Sequence, residues 1–342
     1  MTDMLSTPIS AKRAAGRVAP GLLLCAAATA AAMAVNQLLP TVSPLLIAIL
    51  LGAVAANVWS VPQRLQPGIA FSAKKLLRLG VALLGLQLVL GDVIGLGWGM
   101  IVVVVAIVGL GIAGTMFVGK LMGIGFTQRV LIACGFSICG AAAVAATDGV
   151  IDADDEEVAT SVALVVIFGT LMIPAIPLAA HALGLSESMA GLWAGGSIHE
   201  VAQVVAAGGA IGTTALGVAV IVKLARVMML APVMAVLSIR QRRHIAATQS
   251  DAQVTRPPLI PLFVVGFIAM MLLRSTSILP HEVIVVGKIA QTALLTAAMF
   301  ALGLGIRIAA LRTVGMKPVI LATLATVWVS GIALVGVLVA GH

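Results

Sequence analysis

Long apolar stretches separated by short polar loops run along almost the whole chain. Eleven of these stretches approach the length of about 20 residues that a helix needs to cross a bilayer. They cover residues 20–39, 43–59, 69–91, 95–119, 127–147, 157–181, 189–208, 213–239, 258–279, 282–307 and 317–340. The second and seventh stretches are the weakest, because they are short or rich in Gly. This pattern predicts an all-α, polytopic membrane protein with about eleven transmembrane helices.

Composition supports this class of protein. Of the 342 residues, 61% are hydrophobic and only 9% are charged, whereas soluble domains carry about 25% charged residues. The chain therefore has too little polar surface to coat a water-soluble globule. We predict a single integral membrane transport domain over residues 20–342, preceded by a cytoplasmic tail of residues 1–19. A retained first helix is favoured over a cleaved signal peptide, because its apolar run extends to residue 39.

The basic residues lie in short loops between the apolar stretches and do not form one footprint for nucleic acid. Their distribution fits the positive-inside rule with a cytoplasmic N-terminus and an external C-terminus. Arg274, near the outer end of the ninth stretch, is the main exception. The predicted inner loops hold Arg64, Lys74, Lys75, Arg78, Lys120, Arg129, Arg240, Arg242, Arg243, Arg256, Arg307, Arg312 and Lys317.

The acidic stretch TDGVIDADDEE, which ends at Glu157, carries six carboxylates. It lacks the spacing of a calcium-binding loop, so we interpret it as a solvated outer loop. The three cysteines, Cys25, Cys134 and Cys139, also lack the spacing of metal ligands. We therefore expect no metal and no cofactor.

Two segments that follow Gly-containing stretches resemble each other: SICGAAAVAA at residues 137–146, after CGF, and SIHEVAQVVA at residues 197–206, after AGG. Gly permits a helix to be interrupted, and a broken helix presents free N–H groups at a positive dipole end that suits anions. The alternative is close helix packing through small residues. The polar residues beside the glycines favour two broken, Gly-interrupted helices.

His199 and Glu200 are the most distinctive pair of ionisable residues within an apolar stretch. An ionisable residue inside a span costs about 2.5–3.5 kcal/mol on insertion scales, so it usually has a purpose. The run HEVAQ is not a zinc-protease motif, because Gln203 stands where the second His would be. On a continuous helix, His199 and Gln203 would share a face. Either ionisable residue could exchange a proton, and a buried hydrogen-bonded cluster is the alternative.

Lys223 and Arg226 lie about ten residues into the eighth stretch, and a spacing of three places them on one helical face. Ten helical residues span about 15 Å, half the hydrocarbon core, which argues against simple snorkelling. Two cations at this depth need counter-ions, supplied by Glu200, by a substrate anion, or by both. This surplus of positive charge predicts an anionic substrate.

A second internal sequence similarity, which we call the echo, links GVALLGLQLVLGD at residues 80–92 with FALGLGIRIAALR at residues 300–312. The third and tenth stretches have opposite predicted directions, as an inverted repeat requires. The fifth and seventh stretches, however, run the same way. Inverted repeats are predicted, but their order is left open.

These motifs resemble the YeiH-like family of bacterial inner-membrane proteins, which are proposed sulfate exporters. The resemblance spans about residues 20–340 and rests on KKLLRLGVALLGLQL, CGFSICGAAAVAA, GGSIHEVAQVVAAG and KLARVMMLAP, with GLGIR as a weaker match. The family is also similar to the cation-proton antiporter and bile-acid symporter group, whose folds cross two broken helices at a central site. By that resemblance, the substrate would be flanked by Ser137, Cys139, Ser197, His199, Glu200 and Gln203.

Together, the residues and the resemblance predict a secondary transporter of a small anion, sulfate or an organic sulfonate. We expect an exporter in the inner membrane, coupled to a proton or sodium gradient, because no nucleotide-binding Gly-rich loop is present. Its substrate-binding residues would include Lys223 and Arg226. The alternatives are an ion-coupled importer of a carboxylate and a non-transporting scaffold or sensor. An enzyme is not expected, and Gly-rich faces would allow a homodimer.

Overall fold

The computed structural model describes residues 8–39, 43–151, 153–248, 262–276, 278–305 and 315–340. Every element in these ranges is helical. The helices are α1 (Pro8–Leu38), α2 (Pro44–Val58), α3 (Gln66–Phe71), α4 (Leu77–Leu84), α5 (Leu90–Gly95), α6 (Gly97–Leu121), α7 (Phe126–Ser137), α8 (Ala141–Ile151), α9 (Asp155–Ala182), α10 (Glu187–Ser197), α11 (Val201–Ile211), α12 (Thr213–Met228), α13 (Leu230–Thr248), α14 (Leu262–Ser275), α15 (His281–Gly303) and α16 (Lys317–Ala340). Short 3₁₀ turns cover Gln63–Leu65 and Gly85–Gln87, and a π turn over Ser72–Leu76 joins α3 to α4.

Each of the eleven predicted apolar stretches coincides with a helix or with successive helices, which confirms the all-α class. Within the described residues, six helical segments are long and apolar enough to cross a membrane: Gly16–Leu38, Gly97–Leu121, Asp155–Ala182, Thr213–Arg243, His281–Gly303 and Lys317–Ala340. Four shorter apolar helices cover Ile47–Val58, Ala141–Ile151, Val201–Ile211 and Leu262–Ser275. The fold is therefore that of a polytopic membrane protein.

Local signals set several helix ends. Ser186 caps α10 by accepting a hydrogen bond from the main-chain N–H of Met189 at 3.3 Å. The helices α6 and α9 are followed by Gly123 and Gly184, with φ angles of 70° and 66°. This left-handed conformation is the usual way to satisfy the last carbonyls of a helix, and it favours Gly. The loops that follow α6 and α9 are therefore short and sharply turned.

The described residues form two compact units. The first consists of Met1–Gly80 and Ala290–Ile308, and the second of Val81–Ile289 and Ala309–His342. In the first unit, α1 packs against α2 and α3. A Cβ on Gly68 would collide with the carbonyl oxygen of Val18, so this position needs Gly. The prediction of one membrane domain after residue 20 stays a prediction.

In the second unit, α10 packs against α11, α12 and α16, while α6 packs against α7 and α16. Helix α9 contacts both α7 and α11. The paired segments α7–α8 and α10–α11 therefore lie at the centre of this unit, surrounded by longer helices.

Two predicted loops are largely helical, which corrects the sequence interpretation. The acidic stretch is divided between the end of α8 and the start of α9, with Asp152 outside the described residues. Asp148 is buried, and its carboxylate accepts a hydrogen bond from the main-chain N–H of Ala153 at 3.2 Å. The first turn of α9 holds Asp155, Glu156 and Glu157, where carboxylates interact favourably with the helix dipole.

The basic connector after the eighth stretch begins as helix, because α13 continues to Thr248. Its remainder, with Arg256, lies in residues 249–261, outside the described ranges. Residues 306–314, which contain Arg307, Arg312 and most of the second half of the echo, also lie outside them. Likewise, the structure describes the predicted N-terminal tail only from Pro8, where α1 begins.

Candidate functional site

Both motifs singled out in the sequence interrupt a helix. Helix α7 ends at Ser137 and α8 begins at Ala141, and Gly140 between them has a φ of 74°. Helix α10 ends at Ser197 and α11 begins at Val201, with extended backbone at Ile198 and Glu200. The prediction of two broken helices is therefore confirmed.

The two breaks lie against each other. A Cβ built on Gly140 would lie 2.5 Å from Cγ of Glu200 and 3.2 Å from the carbonyl oxygen of His199. Only a residue without a side chain permits this approach, and the left-handed φ favours Gly independently. We call these two breaks, residues 138–140 and 198–200, the crossing.

Arg226 of α12 holds the C-terminal ends of α7 and α10. Its side chain is fully buried. The last carbonyls of a helix have no partner within the helix and carry partial negative charge, so a buried cation stabilises them. The guanidinium donates to the carbonyl oxygens of Phe136 (3.0 Å), Ser137 (2.9 and 3.1 Å), Gly195 (3.2 Å), Gly196 (2.7 Å) and Ile198 (3.0 Å).

Lys223 joins the two breaks one helical turn away. Its ammonium donates to the carbonyl oxygens of Ile138 at 2.8 Å and Ile198 at 2.9 Å, and the side chain is fully buried. From the sequence, broken helices were expected to present N–H groups to an anion, with Ser137 and Ser197 among the residues that flank it. The structure corrects this, because both serines end their helices and the groups beside them are carbonyls.

The N–H ends of the broken helices converge on Glu200 instead. Its Oε1 accepts a hydrogen bond from the main-chain N–H of Ala141, the first residue of α8, at 3.3 Å. Glu200 is also the N-cap of α11: its side chain accepts from the main-chain N–H of Gln203, whose Oε1 accepts from the N–H of Glu200 at 3.2 Å. This reciprocal pair is a capping box. One carboxylate therefore serves two helix N-termini.

His199 and Gln203 do not share a helical face, because His199 precedes the N-cap of α11. The Gln203 amide instead reaches α9, where Nε2 donates to the carbonyl oxygen of Val166 at 3.3 Å and to Oγ1 of Thr170 at 3.5 Å. Any side chain on Gly169 would collide with that amide. Gln203 thus links the crossing to α9.

His199 is fully buried between the first break and α16. Its Nδ1 lies 3.2 Å from the carbonyl oxygen of Phe136, and its Nε2 lies 3.2 Å from Oγ1 of Thr326. A carbonyl only accepts, so Nδ1 carries a hydrogen. Thr326 can donate its own hydrogen either to Nε2 or to the carbonyl oxygen of Ala322, 2.9 Å away.

The remaining predicted residues line the same region. Ser197 is buried, and its Oγ accepts a hydrogen bond from Oγ of Ser330 at 3.2 Å. Ser137 is also buried, and its Oγ has no hydrogen-bond partner among the described residues. Cys139 lies buried within the first break. All eight residues predicted for the site are thus at the crossing or in contact with it.

Sequence reasoning missed Thr326 and Ser330 on α16. They are four residues apart, on one face of an apolar helix, and they reach His199 and Ser197. A hydroxyl in such a helix usually bonds to its own main chain, so nothing in the sequence distinguished these two. The cap formed by Glu200 and Gln203 did have a signal, since a polar N-cap residue followed by Gln three positions later is typical of a capping box.

The fold and the crossing define a multi-pass, all-α membrane protein with two broken helices packed over buried cations. The chain belongs to the family described as Conserved hypothetical protein 698, which matches residues 20–322. A UPF0324 membrane protein of Corynebacterium glutamicum is 58% identical over 319 residues, 93% of this chain and 92% of the relative.

Other relatives carry the same family name. A UPF0324 membrane protein of Bradyrhizobium diazoefficiens is 36% identical over 348 residues, 97% of each chain. The UPF0324 inner membrane protein YeiH of Salmonella typhi is 38% identical over 325 residues, 90% of each chain. The resemblance to YeiH-like proteins is thereby confirmed. No solved structure matches the chain.

Proposed function

We propose that this protein is a secondary transporter that carries a small anion past the crossing. The observation that carries the proposal is the crossing itself: two broken helices with their carbonyl ends bound to Lys223 and Arg226 and their N–H ends gathered at Glu200. Irregular backbone at membrane depth is tolerated only where it is buried in protein or lines a cavity. In transporters, such broken helices form the substrate site.

The charge at the crossing supports an anion. Each helix terminus contributes roughly half an elementary charge, so the two C-terminal and two N-terminal ends offset each other. Lys223 and Arg226 then face one carboxylate, that of Glu200, which leaves a surplus of about one positive charge. An uncompensated charge is costly in a low-dielectric interior. A bound anion would remove that cost.

The finer parts of the proposal rest on the sequence. Sulfate or a sulfonate as substrate, and outward transport, follow from the resemblance to proposed sulfate exporters. Placement in the inner membrane with a cytoplasmic N-terminus follows from that resemblance and from the distribution of Lys and Arg. The energy would come from a proton or sodium gradient.

The test is transport by the purified full chain in liposomes. We expect saturable flux of labelled sulfate or isethionate that depends on a pH or sodium gradient. Lys223→Met, which removes one of the two buried cations, should abolish it. Lys288→Met is the matched control, because Lys288 is an exposed lysine on α15. Folded protein that moves none of the anions would contradict the proposal, and sodium-driven citrate uptake would favour the importer.

A scaffold or sensor is the second candidate, and one observation favours it. Lys223 and Arg226 already donate to main-chain carbonyls, as they would if their only role were to hold the crossing together. A sensor would be stabilised against unfolding by its anion without transporting it, because a ligand that binds only the folded state raises stability. A melting shift with sulfate but no flux would support this second candidate.

A further inference from the structure

We propose that the carboxylate of Glu200 is the resident anion of the transport site and that the substrate anion must displace it. Glu200 and the substrate would compete for the N–H groups at the starts of α8 and α11, and protonation of Glu200 would release them. This inference rests on the proposed anion transport and specifies how that site is loaded.

The contacts of Glu200 are those of a bound anion. Its carboxylate accepts from the main-chain N–H groups of Ala141 and Gln203, which begin two different helices. Helix N-termini bind sulfate, phosphate and carboxylate in the same way. The bond to Ala141 is 3.3 Å long, whereas charge-assisted N–H bonds are typically about 2.7–2.9 Å. The carboxylate thus occupies the position at two helix N-termini that an anion from solution would take.

Burial singles out Glu200 among the ionisable groups of the crossing. His199, Lys223 and Arg226 are fully buried, whereas Glu200 is only half-buried. Glu200 is therefore the least covered ionisable side chain at the crossing.

The groups that face Glu200 favour its replacement by another anion. Lys223 and Arg226 of α12 are the nearby cations, and His199 and Cys139 are the other titratable groups on the two breaks. Helix α9, which packs on α11, has no ionisable residue over residues 158–180. When Glu200 takes up a proton, the positive charge of α12 stays. The site then attracts an anion from solution.

The exchange fixes how protons and anions are coupled. One proton binds the Glu200 carboxylate as one anion occupies the N–H groups, and the proton leaves when the anion leaves and the carboxylate returns. Proton and anion therefore travel together. With the dianion sulfate, each cycle moves one net negative charge, so the inside-negative potential, which is the electrical part of the proton gradient, drives export, whereas a more acidic exterior opposes it. With the monoanion isethionate, the same cycle is electroneutral.

The experiment measures sulfate binding to the detergent-purified full chain by melting shifts from acidic to alkaline pH. In the unsubstituted protein, affinity should fall by up to about tenfold per pH unit, as required for one linked proton. Glu200→Gln should bind sulfate independently of pH, and at alkaline pH at least about tenfold more tightly. The control is Glu187→Gln, because Glu187 caps α12 through Thr214 and Ala215 but is exposed. It should keep the original pH dependence.

The outcomes separate this inference from the proposed function. If the unsubstituted protein neither binds nor transports sulfate, both the proposed transport of sulfate and the inferred role of Glu200 are overturned. Flux that persists while Glu200→Gln keeps the original pH dependence overturns only the role of Glu200. If Glu200→Gln does not fold, Glu200→Asp decides: its shorter side chain should compete less and raise sulfate affinity at alkaline pH, and an unchanged affinity overturns the inference. In liposomes, an imposed potential should accelerate sulfate efflux but not isethionate efflux.

Discussion

His199 and Glu200 have different roles, because their hydrogen-bond partners differ. The Nδ1 hydrogen of His199 is committed to the carbonyl oxygen of Phe136, which also accepts from Arg226. A second hydrogen on Nε2 would place a third positive charge beside Lys223 and Arg226. The neutral ring, with Nε2 accepting from Thr326, is the arrangement these contacts favour. His199 therefore acts as a fixed anchor, and the proposed exchange of a proton is assigned to Glu200.

This assignment predicts the effect of Thr326→Val. The substitution keeps the shape of the side chain but leaves the buried Nε2 of His199 without its donor, which costs about 1–3 kcal/mol. A lower melting temperature in detergent is expected. Thr323→Val is the control, because the Thr323 hydroxyl bonds only to its own helix, at the carbonyl oxygen of Val319, and is exposed. Equal melting temperatures for the two variants would contradict the anchoring role.

Gly140→Ala tests the contact between the two breaks. A left-handed residue other than Gly costs roughly 1–2 kcal/mol, and the new Cβ would also lie 2.5 Å from Cγ of Glu200. Gly184→Ala separates these costs, because Gly184 has a similar φ of 66° but nothing within 4 Å of its added Cβ. Gly140→Ala should be the more destabilising of the two, and should also impair transport. Matching losses of stability would mean that the breaks are not in contact.

At the scale of elements, the crossing depends on one forked side chain bridging two helix ends. The guanidinium of Arg226 contacts five carbonyl groups from both broken helices, a geometry that an ammonium cannot reproduce. Arg226→Lys should therefore lower the free energy of unfolding by at least about 2 kcal/mol, because it leaves several buried carbonyl groups without a donor and each such group costs about 1–3 kcal/mol. Arg240→Lys, at an exposed position on α13, should have no effect. The measurement is chemical unfolding in detergent, and similar values for both variants would rule out this role.

Much of this arrangement could be predicted from the sequence, since helix positions follow from apolar runs and a buried pair of cations is visible in its spacing. The role of each glycine could not. Gly195 and Gly196 were taken as part of an interruption, yet both belong to α10, and a Cβ on Gly195 would collide with the carbonyl oxygen of Ala219 on α12. Gly140, by contrast, lies in a break. Periodicity is the same for a glycine that packs and one that breaks a helix, and only tertiary contacts distinguish them.

The direction in which each helix runs could not be predicted at the breaks either. Glu200 was recognised as an ionisable residue inside a stretch, but its position at two helix N-termini depends on where each helix restarts. Likewise, Ser137 and Ser197 were expected to flank the anion beside free N–H groups, but they end α7 and α10, where the free groups are carbonyls. The three-dimensional course of the chain determines which end of a broken helix reaches a given side chain. The spacing of residues in the sequence does not reveal it.

At the scale of the whole molecule, the positive-inside distribution predicts which surfaces face the cytoplasm. The three native cysteines are unpaired and buried, so the unsubstituted protein should give little background with a membrane-impermeant maleimide. Arg243 lies in a predicted inner loop, and Asp92 lies between the third and fourth stretches, where an inner N-terminus predicts an outer loop. Both residues are exposed, and either can be replaced by Cys. Asp92→Cys should be labelled in intact cells whose outer barrier has been opened. Arg243→Cys should be labelled only after the inner membrane is made permeable, because its loop carries the basic residues that resist translocation. The reverse pattern would place the N-terminus outside, and labelling of both residues from one side would show that an odd number of spans does not separate them.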